Sequence, residues 1–211
     1  MVDNCDNCQG FIINHSVGGG TGSGLGALIL ERLAVNYRKK TKVGFDIYPF
    51  QSKQTSNTEI YNALLSTHWL LDHTELSVLL DNKQIYNLCK SKLKIKRPNY
   101  NNMNNLIRKV CSAMTSSLRF EGELNVDLNE FQTNLVPFPR LHFLLTSLSP
   151  IIPLNYEDKK RNDVQGITER VFLPDNFLVE LIKVYIFIMV YFLFIYIIKC
   201  YLKKINIWLF H

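Results

Sequence analysis

Seven residues, Gly18-Gly-Gly-Thr-Gly-Ser-Gly24, carry the clearest chemical signature in the chain: five glycines, with hydroxyls nearby on Ser16, Thr21 and Ser23. Glycines let backbone N–H groups converge on an anion without Cβ obstruction, and a helix that follows presents its positive dipole end to the same point. Residues 11–16 read as a short buried strand and residues 25–38 as a helix, so the run at 18–24 is expected to be a tight turn between them. This context predicts phosphate binding. The run is not a P-loop, because no Gly-Lys-Ser/Thr follows, and the strict Gly-x-Gly-x-x-Gly fits in no register. Only the looser form ending in alanine fits, from Gly22 to Ala27. The alternative is a flexible glycine-rich turn.

Other reactive residues are scattered. Cys5 and Cys8 form one Cys-x-x-Cys, but two further zinc ligands at suitable spacing are not evident, and a pair of structural thiols is the simpler reading. His15, His68, His73 and His142 form no His-Glu-x-x-His pattern. The odd count of five cysteines and a polar first ten residues fit a reducing, intracellular setting. Asp127-x-x-Glu130 resembles a capping box opening a helix, although that box prefers Ser or Thr first. Asp81-Asn82 follows a short apolar run and reads as the turn after a strand.

The elements that must position these residues alternate. Strands are expected at 11–16, 42–48 and 76–80, and helices at 25–38, 60–71, 83–93 and 101–118. Such alternation predicts an α/β layered fold with a largely parallel sheet, in which ligands bind beyond the carboxyl ends of the strands. Both the glycine run and Asp81-Asn82 fall at those ends. From residue 122 the texture changes: a loop and helix over 125–136, a break at Pro137-Phe-Pro139, a strand over 141–147 and a charged loop over 155–163. With 47% hydrophobic and 20% charged residues the chain can bury a sizeable core. Its net charge of +6 is concentrated: Lys83, Lys90, Lys92, Lys94, Lys96 and Arg97 have no acid among them. Such a cluster can attract nucleic acid or an acidic surface, but a solvated helix face and turn is the plainer reading.

The glycine run after a strand, with His15-Ser16 just upstream, resembles the signature of tubulins and is close to the glycine loop of the bacterial division protein FtsZ. Glu31-Arg-Leu, Tyr48-Pro, Tyr61-Asn, Ser66-Thr-His68, Asp81-Asn82, Arg97-Pro98, Ser117-Leu-Arg-Phe120, Leu124-Asn125 and Val136-Pro-Phe-Pro-Arg-Leu-His-Phe143 are tubulin-like in order and spacing, from about residue 2 to about residue 177. An acid at Glu130, followed by Phe-Gln-Thr-Asn, resembles the alpha type; the beta type has lysine there. The resemblance implies a tubulin/FtsZ-like GTPase domain, a partial parallel sheet with helices on both faces, over residues 1–120. It further implies the start of the intermediate α+β domain over 121–179.

It also implies roles. Ser16, Gly19, Gly20, Thr21 and Gly22 would hold the phosphates of GTP. Thr55 and Glu59 match the segment near the ribose, Asn82 and Asn104 the guanine-reading positions, and Tyr100 the aromatic that stacks on the base. Glu130 would act on the GTP of an adjacent beta-type subunit by orienting or polarising the attacking water. The implied product is a GTP-binding subunit of cytoplasmic microtubules, with GTP hydrolysed between subunits and no nucleic-acid partner. The alternatives are a truncated, non-catalytic, tubulin-related interaction protein, free or membrane-attached, that binds tubulin or nothing, and an incomplete gene product.

Three departures stand beside the resemblance. The family's N-terminal strands are absent, with a second phosphate loop and the acids associated with Mg2+, so the chain is expected to hold one wall of the GTP site and an open sheet edge. Residues 50–57, FQSKQTSN, are more polar than in the family. Residues 180–211 carry no tubulin-like pattern. Their uncharged run at 184–198 is fifteen residues long, short of the roughly 20 that span a bilayer. It reads best as run-on sequence from AT-rich codons, with a membrane anchor or an apolar cover for the core as alternatives.

Overall fold

A computed structural model describes residues 2–49, 56–120, 122, 126–153 and 163–180. The chain forms two compact units, Met1–Asn82 with Val126–Leu144, and Lys83–Asn125 with Leu145–His211.

The first unit is built on a sheet of order β1-β2-β3-β4: β1 Gly10–Ser16, β2 Thr41–Tyr48, β3 Leu76–Asp81 and β4 Phe143–Leu145. Strands β1, β2 and β3 are parallel, in a register that sets Gly10 beside Thr41, His15 beside Asp46, and Tyr48 beside Asp81. Two helices connect them, α1 (Gly26–Asn36) between β1 and β2, and α2 (Glu59–His73) between β2 and β3. Leu30 of α1 and Leu70 of α2 meet Val17 in a fully buried cluster, against which Ile13, Tyr48, Ala63 and Phe143 pack. Burying a leucine side chain contributes roughly 1.5–3 kcal/mol, and this cluster fixes where both helices sit on the sheet. On the opposite face Val43, Phe45, Leu76, Val78 and Leu80 are also buried. Strand β1 is at an edge, and its alternate residues Ile12, Asn14 and Ser16 are exposed.

Two polar residues sit deep in this unit and are satisfied. The Lys42 ammonium is 2.8 Å from Glu75 and donates to the Lys40 carbonyl at 2.9 Å. The fully buried His142 is 2.9 Å from the Thr74 hydroxyl and 3.0 Å from the Pro139 carbonyl. Neither resembles a reactive group.

The second unit holds α3 (Asn82–Ser91), α4 (Tyr100–Arg119) and α6 (Val164–Val171), the last opened by the side chain of Asp163. Helix α3 buries Ile85, Leu88 and Cys89, and α4 buries Met103, Leu106 and Val110. Burial pushes the Cys89 and Cys111 thiols up, which makes them poor nucleophiles. Helix α4 starts on a capping box, Asn99 and Asn102 each accepting from the other's backbone N–H. Among the described residues no helix is long and apolar enough to cross a membrane, and the run at 184–198 lies outside them.

One element departs from expectation. Residues 18–24 do not all form a turn: the turn is confined to Val17–Gly19, and Gly20 already has helical dihedrals of −61° and −43°. Thr21–Leu25 makes a π-helical turn that runs straight into α1. No described glycine has a positive φ, so the glycines serve close approach rather than left-handed backbone.

Candidate functional site

The glycine loop sits at the carboxyl edge of the sheet, where β1 delivers it. A Cβ on Gly22 would lie 2.1 Å from the Ser16 carbonyl oxygen, so only glycine lets the first helical turn rest on the strand end. A Cβ on Gly19, Gly20 or Gly24 would meet nothing within 4 Å. These glycines therefore present bare backbone to open space. The first turn of a helix leaves its N–H groups without intrahelical partners, and here they belong to the loop. Ser16, Gly19, Gly20 and Thr21 are exposed on this surface, and Gly22 is half-buried beneath it. The arrangement fits an anion of phosphate size.

Three contacts hold the loop from below. The Val17 N–H donates to the Ile47 carbonyl at 3.1 Å, continuing the ladder past β1. Asn62 of α2 donates its side-chain amide to the Gly18 carbonyl at 3.1 Å. His15 places Nδ1 2.9 Å from the Gly22 carbonyl oxygen. Sequence reasoning assigned no role to Asn62, and nothing local marks one. It noted His15 as upstream of the glycines and as one of several scattered histidines that form no metal-binding pattern. A histidine inside a segment that reads as a buried strand, just before the glycine run, was the available signal.

The remaining expected ligand residues are divided between the two units. Glu59 is half-buried in the first turn of α2. Asn82 follows the carboxyl end of β3, two strands from the glycine loop on the same sheet edge, roughly 10 Å away at ~4.8 Å per strand. Tyr100 and Asn104 belong to the second unit, where both are exposed and one turn apart on α4, Tyr100 being its first residue. Thr55 lies outside the described residues.

Glu130 is on α5 (Leu128–Leu135), at the other end of the sheet. Asp127 accepts from the Glu130 backbone N–H at 2.8 Å, an N-cap worth about 1 kcal/mol. Asn129 accepts from the Thr41 hydroxyl at 2.6 Å, and Leu128 packs where a Cβ on Gly10 would stand, 2.9 Å from its Cδ1 atom. Gly10 and Thr41 are the first residues of β1 and β2 and lie side by side. The helix start is therefore pinned to the amino edge of the sheet, while the glycine loop is at the carboxyl edge. The length of β1 separates them, roughly 20 Å at ~3.3 Å per residue. The Glu130 side chain is exposed. It cannot reach an anion held by its own glycine loop.

Among the described residues no three His, Cys, Asp or Glu are grouped to hold a metal ion. In the basic cluster, Lys83 pairs with Glu180 at 2.5 Å and Lys90 lies 5.7 Å from the centre of the Tyr86 ring, so part of that charge is engaged within the unit.

A parallel sheet whose first strand feeds a glycine loop and helix defines an α/β nucleotide-binding architecture. Residues 1–90 match the family described as Tubulin/FtsZ family, GTPase domain, and the chain belongs to that family. Within it, the chain is similar to alpha-tubulins. It is 53% identical over 180 residues to the tubulin alpha-3 chain of Zea mays, and 51% identical over 180 residues to the nucleomorph tubulin alpha chain of Guillardia theta. Each match covers 85% of this chain and 40% of the relative, so the chain spans about two fifths of the length of these relatives.

Proposed function

We propose that the chain acts as a GTP-binding, alpha-tubulin-like subunit that assembles head to tail with a beta-type tubulin in cytoplasmic microtubules. The observation that carries this is that the glycine loop and Glu130 stand at opposite edges of one sheet. The carboxyl edge offers an anion cradle of bare glycine backbone, and the amino edge offers an exposed carboxylate, Glu130. Separated so, each needs a neighbouring molecule for the other half. Repeating that heterologous contact generates a filament.

In this reading residues 1–120 form the nucleotide half and residues 121–179 the beginning of the intermediate domain that presents Glu130. Ser16, Gly19, Gly20, Thr21 and Gly22 hold phosphates through backbone N–H groups and hydroxyls. Glu59 and Thr55 face the ribose, where a carboxylate accepts from hydroxyls. Asn82 and Asn104 read guanine through paired donor and acceptor, and Tyr100 stacks on the base. Glu130 meets the nucleotide of the beta-type subunit and orients water toward its γ-phosphate, a reaction governed by positioning and electrostatics. Mg2+ bound with the nucleotide would neutralise phosphate charge; this chain's described residues contribute no cluster to hold it.

Cosedimentation with microtubules grown from beta-type-containing tubulin tests this. The chain is expected in the pellet in a GTP-dependent manner and in the supernatant when GTP is replaced by ATP. Partition into vesicles regardless of nucleotide would instead support a membrane-attached interaction protein.

A further inference from the structure

Beneath the glycine loop lies a buried pair that the phosphate chemistry does not itself require. The side chains of His15 and Asp46 are 6% and 0% exposed, and His15 Nε2 is 2.9 Å from Asp46 Oδ1. Neither atom has another hydrogen-bond partner, so the buried Asp46 carboxylate relies on this contact with a protonated ring. Space for it comes from Gly44, where a Cβ would stand 2.7 Å from Asp46 Oδ1. The other ring nitrogen faces the Gly22 carbonyl at 2.9 Å. Both neighbours of the ring are therefore acceptors. A neutral imidazole has one N–H and one lone pair, and either tautomer would set its lone pair against an oxygen. Only the imidazolium satisfies both sides.

We propose that His15, held as an imidazolium between the Gly22 carbonyl and the Asp46 carboxylate, is a positioning residue that locks the glycine loop in its anion-binding form, and that loss of its proton releases the loop and its nucleotide. This rests on the nucleotide reading above. The ring touches no phosphate; it acts through the Gly22 carbonyl, whose own N–H side belongs to the cradle. Removing the proton also strands a buried carboxylate, which is strongly unfavourable.

The surroundings add little competing charge. On β2 the same face carries Tyr48, whose phenol is pushed up by burial and by the Asp46 charge and contacts Thr67 of α2 at 2.9 Å, and Lys42, which is held by Glu75. On β3 Leu79 stands beside Asp46, and Asp81 beside Tyr48. Above the ring the loop and α1 offer Gly22, Ser23 and Gly26, with Glu31 and Arg32 more than a turn further along. Burial opposes the charge on His15, but the contact and charge of Asp46 and the Gly22 carbonyl outweigh it and raise the ring above 6.5. A raised histidine contributes its full stabilisation below 6.5 and loses it as pH climbs through the raised value. The loop is therefore expected to loosen on the alkaline side.

The test follows the 15N shifts of the His15 ring in the 211-residue chain without nucleotide, and the affinity for a fluorescent GTP analogue, from about pH 6 to about pH 9. Asp46→Asn and His15→Asn are measured beside it, which removes the contribution of the nucleotide's own titration and assigns the ring signal. The ring is expected to titrate above 6.5 and to fall back toward it in Asp46→Asn. Affinity in the unmutated chain is expected to drop about tenfold across the range, the scale of one charge-assisted hydrogen bond, and far less in Asp46→Asn. A ring titrating at or below 6.5 overturns the inference, even where a variant fails to fold. So does GTP binding with the same pH profile in all three proteins, which leaves the nucleotide reading intact. A ring that titrates as expected in a chain that binds no GTP at any pH overturns the nucleotide reading instead, and the link to nucleotide with it.

Discussion

Glu130→Ala is expected to leave copolymerisation with beta-type tubulin unchanged and to slow GTP hydrolysis in the polymer by about a hundredfold, the lower range for removing one well-placed acid–base group. The reason for expecting so clean a separation is local. Asp127 caps the helix through the Glu130 backbone N–H, which alanine keeps, and alanine is the strongest helix former. The anchors of α5 on the sheet, Leu128 and Asn129, are untouched. The exposed carboxylate is thus the only thing removed. Phosphate release per assembled subunit, with assembly followed by light scattering, reads the effect. Unchanged turnover would mean that Glu130 is a helix-start residue and nothing more.

Gly22→Ala has the largest expected effect on the fold. The new methyl would stand 2.1 Å from the Ser16 carbonyl oxygen and 3.1–3.2 Å from the carbon and nitrogen of the same residue, all of them backbone. No side chain can rotate away, so either the end of β1 or the first helical turn must move. Overpacking of this kind costs about 3 kcal/mol, and the displaced turn is the anion cradle itself, so GTP binding should be lost together with stability. Gly19→Ala separates the two effects. Its methyl meets nothing within 4 Å, so stability should change by less than about 0.5 kcal/mol, while the methyl intrudes on the surface a phosphate would use. Urea unfolding and equilibrium GTP binding on both variants check this; a Gly22→Ala protein as stable as its parent would contradict the close approach.

The glycine loop and the alternation of strands and helices were legible because each has a local signature: turn composition in one case, apolar periodicity in the other. The strands at 11–16, 42–48 and 76–80 are found within a residue of where the pattern places them. The helix start at Gly20 was not legible, because glycine's poor helix propensity argues for a turn. Close packing of Gly22 on Ser16 overrides that propensity, and such packing is invisible before the chain is folded. Helix α6 was not singled out from the sequence at all. Asp46 was hidden in the other direction: a single acid inside the apolar run Val43–Tyr48 passes as a strand residue until one asks what could neutralise it in a buried parallel strand. Glu130 could be seen as a cap from Asp127-x-x-Glu130, but its place at the amino edge depends on Thr41 and Asn129, 88 residues apart in sequence. That long-range contact sets an ordinary helix start at the edge of the sheet away from the glycine loop.

The placement of Glu130 opposite its own nucleotide site is the central claim, and cross-linking from that position tests it most directly. A photoreactive phenylalanine analogue is put in place of Glu130, the chain is assembled with beta-type tubulin and GTP, and the irradiated products are mapped by mass spectrometry. The separation of the two sheet edges predicts adducts on the nucleotide-binding loops of the beta-type partner. Adducts on residues 16–22 of the same chain would contradict it.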